Sequence, residues 1–338
     1  MACGTPGKDE PTEERNSEEE LPDEEEGQNS CSPISPSHQW TEVSLQGTAP
    51  GAWMNLWGPS PDHLLVVGGQ PEQGEAFLFD GDSWRRLSLP DGPMLHWAHG
   101  KDKTFFLVGR GGRFLRIDEH LEVEEFESPL KVDLWGVFVL QKDLVYAVGG
   151  DIRSPDSLPV VLRFDGTYLE SIPLPELDRP ANSLFKIWGT SKDHLFAVGA
   201  QGLILHFDGQ QWTQMPSGTG EDLVSLWGRG PDEIVAVGGR SNALVSRFDG
   251  QGWESQFLPG LPGLQGIWMD CAGRSYINGL LGLGLQLEPR SFEWVREETS
   301  TTLLLHGSFG FSNDVKYFVG GTLDRSPPYR GILLKGSP

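Results

Sequence analysis

The chain has 338 residues, room for one large domain or two ordinary ones, and its Gly 44 and Pro 25 together stay below the range of low-complexity disorder. Its 12 Trp and 17 Phe supply material for an apolar core, so the glycines and prolines punctuate a folded, strand-rich protein. A formal charge of −22 with no basic stripe repels phosphate backbones, which excludes a nucleic-acid-binding surface.

No apolar run reaches the roughly 18 residues of a spanning helix, and no apolar segment of signal-peptide type precedes the acidic tail. The cysteines, Cys3, Cys31 and Cys271, form no CxxC pattern, so neither a structural zinc nor any other metal site is expected. No cofactor motif is present either: the glycines serve turns, and no Gly-rich phosphate loop stands out.

Residues 1–37 hold 11 acids against Lys8 and Arg15. Such a segment buries too little to offset the entropy of ordering, and it is expected to be a disordered acidic tail acting as a spacer. Its start, Met1-Ala2-Cys3-Gly4, resembles the end of a bacterial lipobox. On that reading Cys3 carries a lipid and the tail holds the following domain off the membrane. The alternative is an ordinary cytosolic start that contains a cysteine.

From residue 38 the sequence repeats. Trp57, Trp97, Trp135, Trp188, Trp227 and Trp268 recur at spacings of 40, 38, 53, 39 and 41 residues, with His306 taken as a seventh position. A glycine follows each, usually after Val: Gly68, Gly109, Gly149, Gly199, Gly238, Gly279 and Gly320. Phe-Asp-Gly comes next, at Asp80, Asp165, Asp208 and Asp249, with Asp118 and Glu288 as weaker copies. Trp84, Trp212 and Trp253 lie four residues beyond three of these aspartates.

Segments such as HLLVVGG and EIVAVGG are short apolar runs bounded by Gly, and GLILHFDG alternates with one buried face, so each repeat predicts strands. Asp-Gly predicts a tight hairpin with Gly at positive φ and the carboxylate bonding nearby N–H groups. Four strands per repeat make a blade. The last repeat ends at GILLKGSP without a Trp-led fourth strand, and the ordered chain begins with one, QWTEVSL. The N-terminal strand is therefore expected to complete the last blade, which protects sheet edges. The predicted fold is all-β: a seven-bladed β-propeller of four-stranded blades over 38–338. Its blades fall near 51–90, 91–129, 130–174, 180–217, 220–259, 261–297 and 301–338 plus 38–46.

The pattern LWG…VGG…FDGxxW resembles a propeller repeat of secreted proteins and lipoproteins of gliding soil bacteria, over residues 39–338. More distantly it resembles photosystem assembly-factor propellers and Asp-box proteins. Here, though, Asp-Gly-x-x-Trp stands where an Asp-box has one more residue. The resemblance implies export and surface exposure. It points to an extracytoplasmic protein, a cell-envelope lipoprotein or a secreted one, with a cytoplasmic location as the alternative.

Catalysis is not expected. A sialidase-like glycoside hydrolase is the alternative, and it would need an arginine triad with Tyr and carboxylate around a central pocket. The arginines have no recurrent spacing to a carboxylate, and Tyr146 and Tyr317 fall in core runs. The repeated Trp residues are assigned to packing between blades, with Trp53 and Tyr329, which break the pattern, as ligand candidates. The chain is thus predicted to be a non-catalytic binding or scaffold module for a protein or glycan partner. The propeller itself is expected to be monomeric, and any membrane contact to run through the lipid anchor alone.

The sequence departs from its own repeat mainly in loops that strand alternation sends to one face. These carry the candidate partner-binding residues: Asp151, Arg153 and Asp156; Arg179; Arg240; Asp324, Arg325, Tyr329 and Arg330. Strand direction brings Cys31 and Cys271 toward the opposite face in neighbouring sectors. They are a candidate disulfide, with two free thiols as the alternative.

Overall fold

The computed structural model describes residues 38–45, 51–311 and 315–337. Seven four-stranded antiparallel sheets follow one another along the chain. In six of them the strands pair in sequence order. In the seventh, Gln39–Glu42 pairs with Gly331–Ser337 and so supplies the outer strand of the last blade. The inner strands of blades 1 to 7 are Ala52–Ser60, Leu95–Lys101, Leu134–Gln141, Leu184–Ser191, Leu223–Gly230, Leu264–Met269 and Leu304–Gly310.

Every inner strand carries a bulge at the same place, which aligns the blades. The residue before the bulge faces the repeated glycine, as Leu134 faces Gly149 and Leu223 faces Gly238. One residue before this pair, a carbonyl at the entry to the inner strand lies against the second strand. A Cβ on Gly238 would lie 2.0 Å from the Asp222 carbonyl, and one on Gly149 would lie 2.1 Å from that of Asp133. That contact, in each of seven blades, is why the apolar second strand must end in glycine.

The same alignment corrects the first anchor of the repeat. Counted from the bulge, the equivalent residues are Trp57, His99, Phe138, Trp188, Trp227, Trp268 and Phe309. Trp97, Trp135 and His306 sit two or three residues earlier, at or beside the bulge. Trp57, His99 and Phe138 follow one another around the inner wall at 5.0 and 4.8 Å, and Phe309 lies 6.4 Å from Trp57. The glycine after the aromatic has its own cause. A Cβ at Gly100, Gly228 or Gly310 would meet the ring of Trp57, Trp188 or Trp268 from the preceding blade, at 2.5–2.8 Å.

Between the sheets, buried side chains of neighbouring blades interlock. Phe106 and Phe114 of blade 2 meet Phe164 of blade 3 at 5.7 and 5.3 Å. Each such ring contributes roughly 1.5–3 kcal/mol by leaving water. At the hairpin to the outer strand, the Asp208 carboxylate accepts N–H groups from Gln210 and Gln211, and Gly209 has φ 91°. Asp80, Asp165 and Asp249 repeat this turn, each with a glycine at φ 90–96°.

Candidate interaction face

In each blade the turn between second and third strands and the connection to the next blade emerge at one end, because the strands alternate in direction. The candidate residues are brought to this end and spread around it, not gathered into one pocket. Asp151, Arg153 and Asp156 occupy the long loop of blade 3, Arg240 the loop of blade 5, and Asp324, Arg325, Tyr329 and Arg330 that of blade 7. Arg179 lies in the connection from blade 3 to blade 4.

Two of these arginines belong to a repeated device that sequence reasoning missed. Asp133, just before the inner strand of blade 3, accepts the Gly111 N–H from the turn of blade 2 at 2.9 Å. Its other oxygen lies 3.6 Å from Arg153 of its own blade. Asp222 does the same two blades on, accepting the Gln201 N–H at 2.9 Å and pairing with Arg240 at 3.0 Å. The sequence carries the signal, an Asp-Leu step at the same phase of both repeats. Arg153 also bonds Asp151. The backbone N–H of Arg153, then its guanidinium, hold the Asp151 carboxyl below its ordinary range.

The remaining candidates have local partners. Arg179 donates to the Thr219 carbonyl at 2.8 Å, across to the next blade connection. Arg325 lies 3.9 Å from Asp324. Asp156 is exposed within its loop. Tyr329 exchanges two hydrogen bonds between its backbone and the Gln70 side chain, at 2.8 and 2.9 Å, which fixes the blade 7 loop to blade 1. Its side chain packs with Leu323 against Ala52, Met54 and Met94. Arg330 borders a groove of about 690 Å³ shared with Arg296, Glu298 and Leu303. Trp53 is no ligand candidate: it is 4% exposed and packs edge-on against Phe77 at 5.4 Å.

The blade 3 loop also exposes apolar surface, with Ile152 at 48% and Leu158 at 73%. Guanidinium and aliphatic groups thus stand exposed on one loop, which is held by hydrogen bonds made by Asp151 and Ser157.

The inner strands offer different chemistry. None of the seven contains Asp or Glu. Toward the connection end, Lys186 reaches from blade 4, placing its ammonium 4.0 Å over the Trp97 ring and donating to the Trp135 carbonyl at 3.0 Å. Burial lowers the Lys186 pKa to about 7. His96, stacked on Trp135 at 4.1 Å, and His306 are held to about 4 and about 3, chiefly by burial. Among the described residues no group of three or more His, Cys, Asp and Glu side chains is placed to hold a metal ion.

On the opposite end, Cys271 lies in the first hairpin turn of blade 6. Asp270 shapes that turn by accepting the N–H groups of Ala272 and Arg274. Cys271 is disulfide-bonded. Cys3 and Cys31 both lie outside the described residues.

No family model matches the chain, and no curated protein matches its sequence. Solved structures do match. YCF48 bound to D1 peptide is similar at TM-score 0.64 and 14% identity, covering 90% of this chain and 99% of that one. The WD40 β-propeller domain of Doa1 gives 0.68 and 10%, covering 88% and 97%. The extracellular domain of the two-component system BT4673 from B. thetaiotaomicron gives 0.62 and 13%, and this chain spans 39% of its length. The likeness is one of fold: all three align with the propeller. No helix among the described residues is long and apolar enough to cross a membrane.

Proposed function

We propose that this chain is a non-catalytic binding propeller that holds a protein partner on the face carrying the blade 3, 5 and 7 loops. The observation that carries this reading is the blade 3 loop, where Ile152 and Leu158 stand exposed beside Arg153 on a frame fixed by Asp133 and Asp151. An ordered loop that leaves two aliphatic side chains in water is what an interface looks like before it is covered. Two of the fold neighbours, YCF48 bound to a peptide and a WD40 domain, are in keeping with a binding role. The inner strands, free of carboxylates, speak against the glycoside-hydrolase alternative.

For location we propose the cell envelope or the exterior, with Cys3 as the lipid-bearing residue and residues 4–37 as the tether. The disulfide at Cys271 supports an oxidising compartment, and Cys31 is the partner we assign to it. Mass spectrometry of the protein from its own host decides both: a lipidated Cys3 and a Cys31–Cys271 peptide are expected. An unmodified N-terminal Met, or a Cys3–Cys271 peptide, overturns the corresponding assignment.

The binding face is tested by replacing Arg153, Arg325 and Tyr329 with Ala and measuring affinity for a partner recovered from the host envelope. Binding falls at least tenfold in the folded triple variant if the face is right. Unchanged affinity removes this face from consideration.

A further inference from the structure

A second site lies at the opposite end of the ring, in the seam between blades 5 and 6. There a cavity of about 650 Å³ is walled by Phe248, Trp253 and Phe292, with Glu233, Arg247 and Arg290 as its main polar groups. The volume falls within the roughly 300–1,000 Å³ of small-molecule pockets.

Arg247 is out of step with its equivalents. Third-strand arginines recur in blades 2, 3 and 5, and each faces a glutamate on the outer strand: Arg116 with Glu124, Arg163 with Glu170, Arg247 with Glu254. The first two pairs close, at 2.6 and 2.7 Å. Arg247 instead turns into the seam, where it lies over Phe292 and donates to the Glu288 carbonyl at 2.7 Å. Its Nε is left buried without a partner.

Two more lining residues have the same defect. The Trp253 indole N–H has no acceptor, and Glu233, 5% exposed, has no donor for Oε1, although Oε2 is engaged by Arg229 and Arg290. Buried polar atoms are rarely left unpaired, and here the residues that carry two such donors and one such acceptor line one cavity.

We propose that this cavity binds a neutral pyranose unit of a saccharide. Hydroxyl groups both accept and donate, so one sugar can take the N–H groups of Trp253 and Arg247 and give a proton to Glu233. An ammonium ligand only donates and leaves the two N–H groups unmet. An anion meets a lining with more carboxylates than guanidiniums, since Asp232, Asp249 and Glu254 join Glu233 against Arg247 and Arg290. The aromatic walls fit the C–H face of a sugar ring. The site does not depend on the protein-binding face proposed above.

Saturation-transfer NMR on the full chain tests this, with the methyl pyranosides of glucose, galactose, mannose and N-acetylglucosamine as probes and methyl glucuronide as the anionic comparison. At least one neutral pyranoside is expected to show transfer to its ring C–H protons, and the glucuronide to bind more weakly. Trp253→Phe keeps the wall but removes the N–H and should weaken binding about tenfold with the fold intact. Arg247→Met should abolish it. Absence of transfer to every neutral pyranoside overturns the proposal. So does tighter binding of the glucuronide, or transfer unchanged in the folded Trp253→Phe protein.

Discussion

Trp40 donates its indole N–H to the carboxylate of Glu297 across 2.9 Å, so the N-terminal strand of blade 7 is bolted to the outer strand of blade 6. Glu297 also receives the His38 backbone N–H at 3.2 Å, pairs with the His38 ring at 3.0 Å, and is bonded by Gln286. Trp40 in turn stacks on Phe318 at 4.1 Å. Ring closure therefore rests on a buried carboxylate as well as on strand pairing. Glu297→Ala should cost about 3 kcal/mol or more, since it strands several buried donors. Trp40→Phe keeps the stack and should cost about 1 kcal/mol. Denaturant unfolding of the two variants checks the order.

The same carboxylate sets a pH dependence. Burial alone would raise the Glu297 pKa, but hydrogen bonds from His38, Trp40 and Gln286 outweigh it and hold the value below the ordinary one. A lowered folded pKa contributes stability that is full above the ordinary carboxylate range and is lost as pH falls through the folded value. The stability difference between wild type and Glu297→Gln should thus be largest near neutrality and shrink in acid. A difference that grows on acidification contradicts the assignment.

Lys186 has the opposite sign. Its folded pKa of about 7 lies below that of an unfolded lysine, so the charged form costs stability below pH 7. That cost is relieved as pH rises from about 7 to about 10. Lys186→Met should stabilise the propeller at pH 6 by an amount on the order of a few kcal/mol, and the gain should fade toward pH 10. Melting curves at the two pH values decide it.

The repeated glycine makes a steric prediction. Gly238→Ala drives a methyl group into the Asp222 carbonyl and should cost roughly 3 kcal/mol. Gly252→Ala meets nothing within 4 Å and should stay within about 0.5 kcal/mol. Comparable melting temperatures for the two would undo the explanation of the Val-Gly motif.

The hairpin aspartates are exposed but share one cause for their shift. Backbone N–H groups lower the pKa of Asp80, Asp165, Asp208 and Asp249. Their contribution is lost as pH falls through those lowered values. Replacing all four with Asn, which keeps an acceptor but not the charge, should lower the melting temperature at neutral pH and flatten the acid limb, so that variant and wild type converge in acid.

The architecture was legible because its determinants are local. Gly238 and its equivalents are forced by a backbone approach that recurs in every blade, and Asp-Gly by a turn. The strand at Trp40 was legible because the last repeat lacks its fourth. The alignment of the inner strands slipped at blades 2, 3 and 7. There an aromatic or histidine sits near the bulge as well as at the wall position, and Trp97, Trp135 and His306 were more conspicuous than His99, Phe138 and Phe309. The partners Asp133 and Asp222 were missed because each acts across a blade boundary, where spacing within one repeat says nothing. Arg247 could not be told from Arg163 by sequence. Both precede Phe-Asp-Gly and face a glutamate, and only packing against blade 6 turns one of them into the seam.

The most direct test of the account is hydrogen exchange of the propeller with and without its captured protein partner. Protection is expected in the blade 3 loop at 151–158, the blade 5 loop at 240–242 and the blade 7 loop at 323–330, with the first hairpin turns unchanged. Protection confined to those hairpin turns, at 61–62, 102–103 and 192–193, would place the partner on the other face and contradict it.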